Sequence, residues 1–273
     1  MIRLGFTEST LLFYYYLNKF NLISNESYKD CQNNLVNWLY STSGFYDESI
    51  LGSYFDFDTN HIINTDLYNK YFEKVLKNIK NTNCEVIFNF HQMNETVMPF
   101  KEDFFKYINY WDKKSRYSDI FSFMSNKKVL IINNLSPLMK QQFESGNITK
   151  ICPEFPINVK KILCFENGYS FFNNGPHRNI LHTYRILKRK IKKLDFDCAI
   201  ISAGAYSSLL AYHILTKLGK EVFCCGGNLP DYFGIITKRT QLFNKDKINE
   251  FWITVPEEMK PEGYMKIEDG CYW

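Results

Sequence analysis

The chain has 273 residues, of which 45% are hydrophobic and 23% charged, a globular composition that argues against intrinsic disorder. That length suits one large domain or two small ones, with a core that needs no disulfide staple. The net charge of +4 is too small to imply nucleic acid and is compatible with an anionic small molecule such as a nucleotide diphosphate.

A short strand over 2–5 opens the pattern. A helix is predicted over 8–20, with Thr7 or Ser9 as its cap and Glu8 at the positive helix end. A second helix is predicted over 28–40, where Leu35, Val36 and Leu39 share a face. A third is predicted over 66–80, where Leu67, Tyr71, Val75 and Ile79 recur at helical spacing. Residues 84–90 are β-branched and aromatic and read as a strand. An aromatic helix over 99–111 follows, then a near-continuous apolar strand over 128–132, as expected for burial on both faces. Ser136 and Pro137 look like a cap and first turn for a helix ending near Gly146.

The rest alternates in the same way. Strands are predicted over 161–165, 198–202 and 221–225. Pro176 opens a long helix to Leu194, and a helix from Tyr206 to Leu218 stops at Gly219. A short segment near Asp231 and a helix around Lys247 come next, and 253–273 is an irregular tail. Apolar strands alternating with helices indicate α/β architecture with a mostly parallel sheet. The chain reads as one domain over 1–273 with a helical insertion over 21–82.

Eight cysteines occur without a C-x-x-C pair, which speaks against zinc and for reduced thiols in a cytoplasmic protein. No stretch is long enough to span a bilayer and no signal peptide is present. Aromatic residues reach 17%, which reflects either AT-rich coding or ring platforms for sugars and bases. Hydrolase, zincin and EF-hand motifs are missing, as is an RNA-recognition pattern.

Ligands of open parallel sheets bind beyond the carboxyl ends of strands. Five places satisfy that rule or carry notable charge. Gly5 ends the first strand, and Glu8 follows it, either capping the helix or holding a metal or sugar hydroxyl. His91 and Glu95 follow the 84–90 strand, either as general bases or as a solvated loop. Residues 202–208 put small residues before a helix start, for phosphate binding or for close packing. Gly226 and Gly227 permit close backbone approach, with Asn228 and Asp231 near enough to bind ribose or sugar hydroxyls; a structural turn is the alternative. The segment 178–193 is a basic amphipathic helix, either a solvated face or a contact for anionic lipid or an acidic polymer.

The series Arg3-Leu4-Gly5 with Glu8, Ile201-Ser202-Ala203-Gly204-Ala205-Tyr206, Gly226-Gly227-Asn228, Phe233-Gly234-Ile235 and the closing Glu268-Asp269-Gly270-Cys271-Tyr272-Trp273 resembles the GT-D and GT-D-like glycosyltransferases. The resemblance implies a Rossmann-like enzyme that moves a hexosyl or pentosyl group from a nucleotide-diphosphate sugar, such as a UDP-sugar, to a glycan or polysaccharide hydroxyl. It implies donor contacts from Arg3, Gly5, Ser9, Ser202, Gly204, Tyr206, Ser207, Gly226, Gly227, Asn228, Asp231 and Arg239, with catalytic work by Glu8 and by His91 or Glu95. The family's Arg-x-Gly-Asp-Gly-Glu motif supports a metal–nucleotide. Here Phe6 replaces its aspartate and Thr7 its second glycine, leaving Glu8 toward Mn²⁺ or Mg²⁺. The implied partners are the donor and a glycan acceptor, without nucleic acid and with peripheral membrane contact through 178–193. A non-catalytic nucleotide- or glycan-binding protein that retains the fold is the alternative reading.

Overall fold

A computed structural model describes residues 1–28, 30, 65–82, 84, 86–88, 97–108, 120–170, 175–266 and 268–273. The expected helix over 28–40 and most of the 21–82 segment lie outside those residues, as do His91 and Glu95. The protein is α/β, with a mostly parallel sheet flanked by helices. Among the described residues no helix is long and apolar enough to cross a membrane.

The strands are β1 (Ile2–Arg3), β2 (Val86–Ile87), β3 (Lys128–Ile132), β4 (Lys161–Phe165), β5 (Cys198–Ile201), β6 (Glu221–Cys224), β7 (Ile235–Ile236) and β8 (Ile253–Thr254). Four form a parallel sheet in the order β4-β3-β5-β6, and β1 pairs parallel with β2. Two hydrogen bonds join the groups: the Met1 amino group donates to Val222 O at 2.8 Å, and Cys224 N donates to Met1 O at 3.1 Å. They straddle Phe223 as a parallel bridge does, so β1 lies beside β6 and the row reads β4-β3-β5-β6-β1-β2. All six strands therefore release the chain at one edge.

The helices are α1 (Phe6–Lys19), α2 (Thr65–Lys80), α3 (Lys101–Tyr107), α4 (Ile120–Met124), α5 (Ser136–Glu144), α6 (Ile148–Ile151), α7 (Ile180–Ile191), α8 (Tyr206–Lys217) and α9 (Lys238–Phe243). Side-chain alternation divides the core. Leu130, Ile132, Ala199, Ile201 and Val222 face a layer of α1, α2, α7 and α8. Val129, Ile131, Ile162, Ile200 and Phe223 face the layer of α4, α5 and α6 with Phe233 and Ile235. With both faces covered, the strand interiors are apolar and the charged residues Lys128, Lys161 and Glu221 stand only at the strand starts, which explains the unbroken run over 129–132 in β3. Burying each of the Val, Leu, Ile and Phe side chains among them contributes about 1.5–3 kcal/mol.

Several boundaries differ from the sequence expectation. The cap of α1 is Gly5, in extended conformation, and the helix starts at Phe6. Ser9 therefore sits inside the first turns, fully buried, with its hydroxyl 3.5 Å from Leu4 O. Ser136 is the first residue of α5 rather than its cap; Leu135 takes the cap position without a side-chain cap bond, and Asn133 Oδ1 accepts from Leu135 N at 2.7 Å, closing the turn before the helix. Pro176 does not open α7, because Asn179 caps it by accepting from His182 N at 3.0 Å. The helix expected around Lys247 is there a short 3₁₀ turn, Lys245–Lys247, preceded by α9, where Thr237 and Thr240 form a reciprocal capping box. The tail over 253–273 is not wholly irregular: it begins with β8, which pairs parallel with β7. The short helices α4 and α6 were not predicted. Too few residues repeat in either for a period to be read.

The seven described cysteines are free thiols. Cys198 and Cys224 are buried, and Cys84, Cys164 and Cys225 are half-buried, in keeping with their strand-like surroundings.

Candidate functional site

Because β1 and β6 are neighbours, the tip at residues 3–5 lies beside the tip at 225–228. Arg3 crosses between them. Its guanidinium fills the space a side chain at 226 would take: a Cβ there would stand 3.0 Å from Arg3 Cζ and collide with Nη1. Only glycine admits the arginine at that point. Arg3 Nε is buried and has no hydrogen-bond partner. Among the described residues Arg3 makes no ion pair.

Two thiols beside it do not neutralise it. Burial pushes the Cys224 thiol up to about 11 and raises Cys225 as well, against the opposing pull of the guanidinium. Both stay protonated at neutral pH, and among the described residues no carboxylate pairs with Arg3 at the sheet edge.

The next residue meets a second arginine. A Cβ at Gly227 would lie 2.8 Å from Tyr272 Cε1 and 3.7 Å from Arg239 Cδ. Arg239 Nε donates to Asn228 Oδ1 at 2.8 Å, and its guanidinium lies 5.5 Å from the Phe243 ring centroid. The closing residues hold it there. Arg239 N donates to Cys271 O and Lys238 N to Trp273 O, both at 2.9 Å. Trp273 Nε1 donates to Tyr169 Oη at 3.1 Å, tying this end to the chain after β4.

At the β1 tip, the Glu8 carboxylate folds back over Gly5, where a side chain would collide with Oε2. It lies in the first turn of α1, where the helix dipole favours negative charge. Its charge reaches the fully buried Tyr71 of α2, whose phenol is held well above its ordinary value, first by burial and then by Glu8. Tyr71 Oη donates to Ala205 O at 2.7 Å and so anchors the β5 tip.

The turn after β5 is spent on itself. Ala203 N donates to Ser207 Oγ at 2.9 Å, Tyr206 N to Ala203 O at 3.1 Å and Ser207 N to Gly204 O at 2.9 Å. Gly204 takes the left-handed conformation the turn requires, with φ of 51°. Ser202 Oγ donates to Gly226 O at 3.1 Å, and Asn133 Nδ2 donates to Ser202 O at 2.8 Å. A line of side-chain bonds thus runs across the tips of β3, β5 and β6.

Arg3, Gly5, Glu8, Ser202, Gly226, Gly227, Asn228 and Arg239 are brought to the carboxyl edge. Four others take inward positions. Ser9 is buried in α1. Tyr206 is buried, with its hydroxyl donating to Ser170 Oγ at 3.0 Å. Ser207 is buried and accepts from the turn. Asp231 accepts from Thr240 Oγ1 at 2.6 Å and Asn244 Nδ2 at 2.9 Å, which fastens the 3₁₀ turn Leu229–Phe233 to α9. Burial is the largest influence on that carboxyl and raises its pKa.

Sequence reasoning missed Asn133, Asn134, Tyr71 and Tyr272 as shapers of the site. Asn134 Oδ1 accepts from Gly168 N at 2.9 Å and braces the chain leaving β4. Two asparagines directly after a buried strand were the available signal for that pair; Tyr71 looked like any other member of an apolar stripe. Among the described residues no group of three His, Cys, Asp or Glu side chains converges. Compared with protein-family models, curated proteins and solved structures, the chain matches none.

Proposed function

We propose that the chain is a glycosyltransferase of Rossmann-like architecture that moves a sugar from a nucleotide-diphosphate donor to a glycan or polysaccharide hydroxyl in the cytoplasm. The observation that carries this reading is Arg3, a cation without an ion-pair partner among the described residues, with its Nε buried and unbonded, beside Gly226 at the carboxyl edge. A buried donor without a partner costs about 1–3 kcal/mol, which a ligand oxygen recovers. A guanidinium matches the paired oxygens of a diphosphate. Arg239, beside Gly227, adds a second cation next to the first.

The chemistry follows from the charge. As the bond from sugar to diphosphate breaks, negative charge grows on the leaving group, and fixed cations at that place stabilise the transition state more than the ground state. Asn228, which orients Arg239, acts on the same group. His91 or Glu95, in the segment following β2 and outside the described residues, takes the acceptor proton where the configuration inverts. Glu8 lines the donor side of the β1 tip. The residues at this tip do not make a site for Mn²⁺ or Mg²⁺: Phe6 supplies no oxygen, and Glu8 is the one carboxylate in the first ten residues.

Phe6 also favours a second reading, a non-catalytic protein that binds a nucleotide or glycan. A thermal-shift screen against UDP-, GDP- and dTDP-sugars, with and without Mn²⁺, separates these when paired with product detection. One nucleotide class is expected to raise the melting temperature of the wild type. Arg3→Ala is expected to abolish that rise while leaving the unliganded melting temperature nearly unchanged. Binding without turnover on any acceptor selects the second reading, and no shift with any nucleotide sugar sinks both.

A further inference from the structure

Charge is unevenly spread along this chain. Seven of its 33 Lys and Arg residues and none of its 29 Asp and Glu residues lie in 176–194, so the remainder is net negative although the whole is +4. Helix α7 occupies most of that segment. It buries Ile180, Thr183, Tyr184, Leu187 and Ile191 and leaves Arg185, Arg189 and Lys192 exposed.

The fold adds cations from elsewhere to this helix. Lys74 of α2 stands with Nζ 5.6 Å from the Tyr184 ring centroid, and Lys188 of α7 stands 5.4 Å from the same centroid. Two ammonium groups thus share one ring, and neither has a carboxylate partner among the described residues. Lys74 feels the crowding: its pKa is lowered by burial and then by Lys188, Arg185 and Lys77. Helix α8 contributes exposed Lys217, and burial followed by the charges of Lys188, Lys192 and Lys217 lowers the pKa of His213. Like charges from three helices are gathered where, among the described residues, no ion pair offsets Lys74 or Lys188.

Exposed apolar groups accompany them. At the C-terminal end of α2, Lys80 Nζ lies 4.0 Å from the Tyr107 ring centroid, and Phe20 packs 5.1 Å from the same ring. Phe20 is 42% exposed and Leu22 37%. A bilayer surface rewards both features, since headgroups take the cations and the interface takes the apolar side chains. A nucleic-acid duplex, recognised through its backbone and groove shape, would reward only the first.

We propose that the outer surface of α2, α7 and α8 is a docking face for an anionic lipid bilayer, on which Arg185, Lys188, Arg189, Lys192, Lys74 and Lys77 meet the headgroups. The proposal is independent of the glycosyltransferase reading.

The test is co-sedimentation of the full chain with vesicles of phosphatidylcholine alone and of phosphatidylcholine mixed with phosphatidylglycerol, at low and high salt, with double-stranded RNA as a second polyanion. The wild type is expected to partition to the anionic vesicles and to be released by salt. Each removed cation weakens partition roughly fivefold, so Arg185→Gln/Arg189→Gln/Lys192→Gln loses about a hundredfold. The melting temperature of that variant and its thermal shift with nucleotide sugars are expected to match the wild type. Should the triple variant fold poorly, Lys74→Gln/Lys77→Gln on α2 replaces it, with an expected loss of roughly twenty-five-fold. Equal partition to neutral and anionic vesicles, retained binding by a folded variant, or binding to RNA without binding to vesicles overturns the proposal. The vesicle readout needs no sugar donor, so its failure is separable from failure of the enzymatic reading.

Discussion

After β5 the chain runs Ser202-Ala203-Gly204-Ala205; after the neighbouring β6 it runs Cys225-Gly226-Gly227-Asn228. Both stretches are small-residue turns beyond a buried parallel strand. In the first, hydroxyl and amide groups close on one another, with Ser207 taking the Ala203 amide and Tyr71 holding the Ala205 carbonyl. In the second, the missing side chains of the glycines are replaced by Arg3 on one residue and by Tyr272 and Arg239 on the next. Small residues at a strand end allow either tight self-satisfaction or the approach of a distant cation. Which occurs depends on what stands opposite: α2 and its Tyr71 for β5, β1 and the closing residues for β6.

The contrast predicts where substitutions act. The largest effect is expected from Gly226→Ala, whose methyl group would displace the Arg3 guanidinium. Loss of its charge-assisted bonds to a diphosphate is worth about 1.5–3 kcal/mol, so donor affinity is expected to fall by roughly ten- to a hundredfold in calorimetry. Gly204→Ala, at a left-handed position, is expected to cost about 1–2 kcal/mol of stability and to leave affinity nearly intact. An affinity loss at Gly204 equal to that at Gly226 would erase the distinction between the tips.

A middle-sized effect is expected from Tyr71→Phe. It leaves the buried Ala205 carbonyl without its 2.7 Å donor, at about 1–2 kcal/mol of stability by urea titration. Nucleotide-sugar binding is expected to persist, because the β5 tip is a brace.

The smallest effect concerns Asp231. Burial raises its pKa, so the folded protein holds that proton more tightly than the unfolded chain. This contribution to stability is complete below the ordinary carboxylate value and is lost as pH rises from there through the raised folded value. Asp231→Asn is expected to flatten that part of the stability profile, read as denaturation midpoints across the acid range.

Much of the scaffold was legible before the fold was known. The apolar runs over 128–132, 161–165 and 198–202 became β3, β4 and β5, the last ending one residue earlier at Ile201, because strands covered on both faces cannot hide their composition. The stripe of Leu67, Tyr71, Val75 and Ile79 is buried as its spacing implied. Helix starts were less legible. Asn133 and Asn179 cap or brace where Ser136 and Pro176 looked better suited, because a cap depends on where the preceding strand or loop delivers the chain.

Alternation of apolar strands with periodic helices was enough to determine an α/β fold with a mostly parallel sheet flanked by helices, since both follow from local periodicity and parallel connection. That Arg3 fills the space over a glycine 223 residues away, and that Tyr272 covers the glycine beside it, required the row β5-β6-β1 to form first. Charge left uncompensated is a property of what surrounds a side chain in space, and neither the β6 tip nor the shared Tyr184 ring could be read from neighbours in sequence.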